Sequence, residues 1–253
     1  AQECVGVEDA VNGVASILSA GMPAIGIGPA TISARADVVL ETTAQLPQVF
    51  EELLDGPQQL DWTGGFCASL ALPARLKVAT EQRRLSQLSG YFGDQREIEK
   101  ILASGSDPLV YEYHQLNAPQ DSGDIAFGVT TLYPGVVGTE FYMTKGHFHG
   151  VLETGEVYYT LSGSGLLLTE NQNGHTRWLP LAPGRAAYAA KGFAHRMVNT
   201  GNEPLVCFFA YRADAGHDYK TIEQSGFQKV VLCTDGGGVS IQDNPKKNTG
   251  GRI

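Results

Sequence analysis

Two histidines stand two residues apart, His147 and His149, in the stretch TKGHFHGVLETGEVYYTL at 144–161, with Glu156 seven residues after the second. On a strand, side chains two apart share one face, so both imidazoles would enter the same interior. Glu156 and Tyr158 form a second i, i+2 pair on the next strand, reached through a turn near Glu153 to Gly155. His195, in YAAKGFAHRMVN, follows the Pro183-Gly184 turn at a loop-to-strand position and can complete the set. Three neutral imidazoles and one carboxylate suit a borderline divalent transition ion with positions left for water or substrate. Taken singly, each residue has a commoner explanation: a surface histidine pair, a solvated strand glutamate, a hydrogen-bonded loop histidine. Their ordered combination points to metal. His175 follows Asn173-Gly174 at a hairpin tip and reads as surface, and His114, in VYEYH, points away from the face that Tyr111 and Tyr113 share.

Short strands must carry these residues. From about Val110 the chain runs LVYEYHQL, IAFGVTTLYPG, EFYMTKGHFHG, GEVYYTLSGSGLLLTE, TRWLPLAPGRAAYAAKG, AHRMVNTG and PLVCFFAYRADAG, punctuated by Pro134-Gly135, Gly163-Ser164-Gly165, Asn173-Gly174, Pro183-Gly184 and Thr200-Gly201. Evenly spaced short strands with Gly/Pro turns predict an antiparallel sandwich or barrel. Upstream, EQRRLSQLSG predicts a short helix stopped by Gly90, and DQREIEKILASG a second from Asp94 to about Ser104. Residues 55–80, rich in Gly, Pro, Gln and Asp, read as a linker or irregular lead-in. Residues 4–54 alternate short apolar runs (CVGV, PAIGIG, ADVVLE) with a helix-like stretch from Ala10 to Ala20 ended by Gly21, the rhythm of a parallel β-α-β unit. The tail TDGGGVSIQDNPKKNTGGRI lacks periodicity and is expected to fray.

Composition bounds the partners. A 253-residue chain that is 42% hydrophobic can bury a sizeable core. Its net charge of -9 argues against a general binder of nucleic acid or anionic membrane, while leaving room for a small anionic substrate. Cys4, Cys67, Cys207 and Cys233 form no CxxC pair, which reads as reduced thiols of a cytoplasmic protein. The longest apolar run, LVCFFAY at 205–211, is strand-sized rather than membrane-sized. The start AQECVGVEDA, inside a motif-like stretch, reads as that of a fragment.

The histidine and glutamate pattern resembles the two motifs of the cupins, whose fold is a double-stranded β-helix, or jelly-roll barrel. More narrowly, FGVTTLYPGVVGTEFYMTKGHFH, ETGEVYYTLSGSGLLL, AHRMVNTGNEPLVCFFAYRADAGHDYKTI and the closing SGF resemble the cupin-type glucose-6-phosphate isomerases, from about residue 83 to Phe227. The resemblance implies a metal held by His147, His149, Glu156 and His195, with iron first and zinc, manganese or nickel as alternatives. It implies phosphate binding by Thr130, Thr144 and Gly146, with Tyr111, Tyr158, Tyr211, His217 and Tyr219 lining the sugar pocket. Lys145, as a strand residue next to pocket-facing ones, is expected to point outward. The implied reaction interconverts glucose 6-phosphate and fructose 6-phosphate through a metal-stabilised enediolate or a hydride shift. Glu156 is the candidate base, and Tyr158, Tyr211 and His217 are candidates for ring opening and oxygen protonation. A homodimer is expected. A cupin dioxygenase or a non-enzymatic sugar-phosphate sensor would share the four ligands, and mannose 6-phosphate is the nearest alternative substrate.

The N-terminal CVGVEDAVNGVASILSAGMPAIGIGP resembles the last third of a haloacid-dehalogenase-type phosphatase, in its β-phosphoglucomutase branch. That resemblance implies magnesium binding at Glu8 and Asp9. The chain lacks the D-x-D nucleophile motif, so residues 1–54 are expected to be a truncated, catalytically dead remnant. The expected organisation is mainly β: a partial α/β Rossmann-like fragment (1–54), a lead-in (55–80) and a cupin domain (81–253).

Overall fold

Three short parallel strands open the chain. β1 (Gly6–Glu8), β2 (Ala24–Ile27) and β3 (Val38–Leu40) lie in that order, and the helix Val11–Ser19 connects the first two. Val14, Ala24 and Ile25 are fully buried, so the apolar runs read in the sequence do form a small β-α-β core. Glu8 explains one glycine. Its carboxylate accepts from the N–H groups of Asp9 and Ala10, and its side chain lies where a Cβ on Gly13 would be. The computed structural model describes residues 6–20, 22, 24–29, 31, 36, 38–46, 58–62, 66–70, 78–116 and 121–247. The chain divides into two compact units, residues 1–60 with 67–76 and residues 61–66 with 77–253. Within the stretch expected to be a lead-in, β4 (Gln58–Trp62) and β5 (Phe66–Leu70) pair with each other.

The second unit is antiparallel and mainly β. Its strands are β6 (Val78–Arg84), β7 (Leu109–Leu116), β8 (Ile125–Leu132), β9 (Val136–Val137), β10 (Glu140–Phe141), β11 (Phe148–His149), β12 (Glu156–Ser162), β13 (Gly165–Asn171), β14 (Thr176–Leu181), β15 (Ala186–Ala189), β16 (Phe193–Asn199), β17 (Leu205–Arg212), β18 (His217–Asp218), β19 (Lys229–Cys233) and β20 (Val239–Asp243). One sheet runs β15-β12-β17-β8-β7-β6; others are β14-β13-β16, β20-β19-β10-β9 and β11-β18. Leu132, Tyr158, Leu205 and Phe209 of the large sheet share one core with Leu167, Leu181, Met197 and Val198 of the three-stranded sheet. The two sheets thus pack on a common interior, and the unit is mainly β as expected. Alternation along β12 is strict at its start: Glu156 and Tyr158 are buried, Val157 and Tyr159 exposed.

Two expectations are corrected. EQRRLSQLSG is not an α-helix: β6 runs through Arg84, and a 3-10 stretch, Leu85–Tyr91, follows. Pairing overrides the helix-forming residues here, since Glu81 faces Tyr113 and Arg83 faces Tyr111 across β7. The helix expected from Asp94 is present at Gln95–Ala103, with Asp94 accepting from Glu97 N–H as its cap. Between Thr234 and Lys247 the tail is not frayed: β20 pairs with β19 through Lys229↔Asp243, and Lys246 donates to the carbonyl of Phe92 at 2.6 Å, while residues 248–253 lie outside the described residues. Among the described residues, Cys207 is a buried free thiol and Cys233 a half-buried one; Cys4 and the side chain of Cys67 lie outside them. No described helix is long and apolar enough to cross a membrane.

Candidate functional site

Glu156, first residue of β12, and His195, third residue of β16, come from two different sheets and meet in the interior, His195 Nε2 lying 2.9 Å from Glu156 Oε2. His149 on β11 brings its Nε2 to 3.2 Å from the same oxygen. His147 precedes β11 and forms an isolated antiparallel bridge with His195. The candidate ligand atoms of all four residues lie within 4.8 Å of one another. His149, Glu156 and His195 are each at most 3% exposed.

The ring orientations follow from the backbone. His149 Nδ1 lies 3.3 Å from the carbonyl of Gly216, and His195 Nδ1 the same distance from that of Phe193. A carbonyl only accepts, so Nδ1 carries the proton and each Nε2 presents a lone pair inward. Such outer hydrogen bonds orient metal-binding imidazoles. The Nε2 atoms of His147 and His149 are buried without a hydrogen-bond partner. Burial alone would push the Glu156 carboxyl up; the neighbouring imidazole of His195, with those of His149 and His147, instead holds it well below the usual range. Burial, reinforced by His195, pushes His147 well down. A carboxylate kept ionised beside imidazole nitrogens with unused lone pairs is a donor set that fits a borderline divalent cation.

These groups open onto a cavity of about 330 Å³. His147, Glu156 and His195 lie on its wall, and His149 lies off it. The structure brings the residues that the isomerase resemblance implied for the substrate to the same cavity: Tyr111, Thr130, Thr144, Gly146, Tyr158, Tyr211, His217 and Tyr219. His217 pairs with His149 across β18 and β11, packs its ring 4.4 Å from that of His147, and stacks on Tyr219 at 5.5 Å. Burial lowers the pKa of His217 to about 4, so it is neutral near pH 7. Burial also raises Tyr111, Tyr158, Tyr211 and Tyr219, leaving a wall of neutral hydroxyls suited to hydrogen-bonding an oxygen-rich ligand. The Thr144 hydroxyl oxygen accepts from Met197 N–H at 3.1 Å, which leaves its O–H free to donate.

Lys145 corrects an expectation. It lines the cavity with its ammonium 5.5 Å from the ring centre of Tyr91. The segment from Thr144 to Gly146 belongs to no strand, and Gly146 has φ +73°. Strand alternation therefore does not apply there, and adjacent residues can face one way. Sequence reasoning also passed over Gln115 and Glu81, both on the wall. Gln115 accepts from the Tyr211 hydroxyl at 3.2 Å. The signal for it was at hand, since 111, 113 and 115 alternate onto one face of β7. Glu81 is legible only once β6 is known to be a strand opposite Tyr113.

Residues 82–248 match the family model described as glucose-6-phosphate isomerase (GPI). The glucose-6-phosphate isomerase of Thermococcus gammatolerans is 46% identical over 164 residues, which cover 65% of this chain and 85% of that one. That of Pyrococcus abyssi is 44% identical over 175 residues, 69% of this chain and 90% of the relative. That of Sinorhizobium medicae is 37% identical over 164 residues, 64% and 77% respectively.

Proposed function

Since the chain belongs to the glucose-6-phosphate isomerase family, which interconverts glucose 6-phosphate and fructose 6-phosphate, we propose how its barrel performs that isomerisation. His147, His149, Glu156 and His195 would hold a divalent ion, and the observation that carries this is their four donors gathered beside the cavity. Bound there, the ion supplies Lewis acidity toward substrate oxygens. The remaining work falls to the chain. Thr130, Thr144 and Gly146 take the phosphate through two hydroxyls and a backbone N–H, with Lys145 adding charge. Tyr111 and Tyr219 bound the sugar on its open sides. The reaction moves one hydrogen between C2 and C1 and one proton between the two oxygens. Glu156 is the candidate base for the carbon-bound hydrogen; in a hydride shift it serves as ligand only. Neutral His217 can accept a hydroxyl proton during ring opening and return it, with Tyr158 and Tyr211 as partner donors and Gln115 fixing the Tyr211 hydroxyl.

The test is a coupled assay on metal-stripped protein, following fructose 6-phosphate to glucose 6-phosphate with ferrous, manganese or zinc ions added back. Turnover restored by a divalent ion supports the reading, with iron our first choice among them. Metal uptake without turnover for any ion would turn the reading toward a sensor.

Finer readings accompany this one. Residues 81–253 are the isomerase domain. We read residues 1–54 as related to the last part of a haloacid-dehalogenase-type fold, supported by the VEDAxxG stretch. Outward Val157 and Tyr159 on β12 and Tyr188 on β15, 41%, 42% and 59% exposed, support a homodimer, which sedimentation would test. Unpaired Cys207 and Cys233 support a cytoplasmic setting.

A further inference from the structure

Arg196 follows the candidate ligand His195 on β16 and is 5% exposed. Its guanidinium packs 4.3 Å over the ring of Phe227. Nη2 donates to the carbonyl of Lys145 at 2.5 Å, Nη1 to the sulfur of Met143 at 2.9 Å, and Nε is buried without a partner. Among the described residues no carboxylate lies within ion-pairing distance of it. Glu140 and Glu170 act on its charge only from beyond that distance, and burying the cation without a direct ion pair is costly.

We propose that Arg196 is a positioning residue that locks the Lys145–Gly146 peptide so that the Gly146 N–H faces the cavity as an anion donor. In a trans peptide the C=O and N–H point in opposite directions. Holding the Lys145 carbonyl from behind therefore turns the Gly146 N–H away from Arg196, toward the cavity that Gly146 lines. The same bond polarises the peptide, so part of the buried positive charge is expressed at that N–H. Among the described residues no backbone carbonyl accepts from it. Glycine at φ +73° is the sort of residue around which a peptide can flip, and Arg196 favours one of the two orientations. The packing is close: a Cβ on Gly146 would meet Phe227 at 2.7 Å and Arg196 at 3.0 Å. Arg196 touches neither substrate nor ligand set in this account. It acts through the turn.

The inference rests on reading Thr130, Thr144 and Gly146 as the phosphate end. Its test compares wild type, Thr144→Val, Arg196→Met and Arg196→Lys, all metal-loaded. Competitive inhibition by inorganic phosphate, KM and kcat for fructose 6-phosphate, and bound metal are measured for each. Arg196→Met is expected to weaken phosphate inhibition and raise KM by about tenfold, the scale of one charge-assisted hydrogen bond, with a smaller change in kcat and full metal content. Arg196→Lys, keeping a cationic donor, should fall between it and wild type. Phosphate inhibition weakened in Thr144→Val but intact in Arg196→Met overturns the proposal and leaves the phosphate end standing. Inhibition intact in both overturns that reading and the proposal together. Should Arg196→Met fail to fold, zinc-loaded wild type labelled with 15N-glycine decides. A Gly146 amide proton that moves downfield on phosphate titration supports the donor, and an unmoved one overturns it.

Discussion

His147 and His195 exchange both backbone hydrogen bonds, His147 N–H to the His195 carbonyl at 3.3 Å and the reverse at 3.1 Å. Two candidate ligands far apart in sequence are thus joined by main chain, independently of what their imidazoles do. The site is assembled by the barrel, and an ion would fill a frame that already exists.

His195→Ala should accordingly keep its strand content by circular dichroism while losing bound metal. Turnover should fall by ~10²–10³-fold, the scale of removing one electrostatic element from an active site. Elemental analysis and the coupled assay check this. Wild-type turnover in a metal-free variant would sink the metal reading, and a collapsed fold would sink the claim about the frame.

Thr144→Val removes the donor aimed into the cavity, and with it the oxygen that accepts from Met197 N–H on the side away from the cavity. KM for fructose 6-phosphate should rise by about tenfold with kcat changing less. A fall in kcat at constant KM would assign Thr144 to the chemistry instead.

Asn199 is a structural knot. Fully buried, it donates to the carbonyls of Leu132 at 2.8 Å and Glu203 at 2.9 Å and accepts from Gly201 N–H at 2.9 Å. Asn199→Ala should cost about 3 kcal/mol in urea unfolding, since three partners lose their bonds. A loss under about 0.5 kcal/mol, the range of ordinary surface changes, would show that water replaces the amide.

Cys207 sets a pH dependence. Burial pushes its thiol up to about 12 from an ordinary value near 9.0, against the opposing hydrogen bond with Thr160. Between those values the unfolded chain loses a proton that the folded chain keeps. Stability is therefore unaffected by this group below about pH 9 and falls as pH rises above it, by about 1.4 kcal/mol per pH unit. Cys207→Ala, weaker overall from its cavity, should lose stability less steeply with pH there. Equal slopes in the two proteins would refute the assignment.

Most of the site was legible because strand geometry is regular. His147 with His149, and Glu156 with Tyr158, follow from alternation, and His195 from its place after a Pro-Gly turn. Lys145 was misplaced because Gly146 takes a left-handed conformation that breaks the alternation, and no residue pattern announces which glycines do so. β6 was read as helix because Glu, Gln, Arg and Leu favour one locally, whereas its pairing with β7 is a tertiary fact. Arg196 looked like an ordinary strand residue. Only the packed turn reveals what it holds.

The alternation along β12 bears on how such a chain can change over generations. Substitutions at Val157 or Tyr159 alter the outer face and leave the inward side chains where they are. Adding or deleting one residue between Glu156 and Thr160 is different, because it would swap inward and outward side chains beyond that point. Length variation should therefore accumulate at turns such as Gly163-Ser164 and Asn173-Gly174. Within β12 the count of residues is inherited more strictly than their identity.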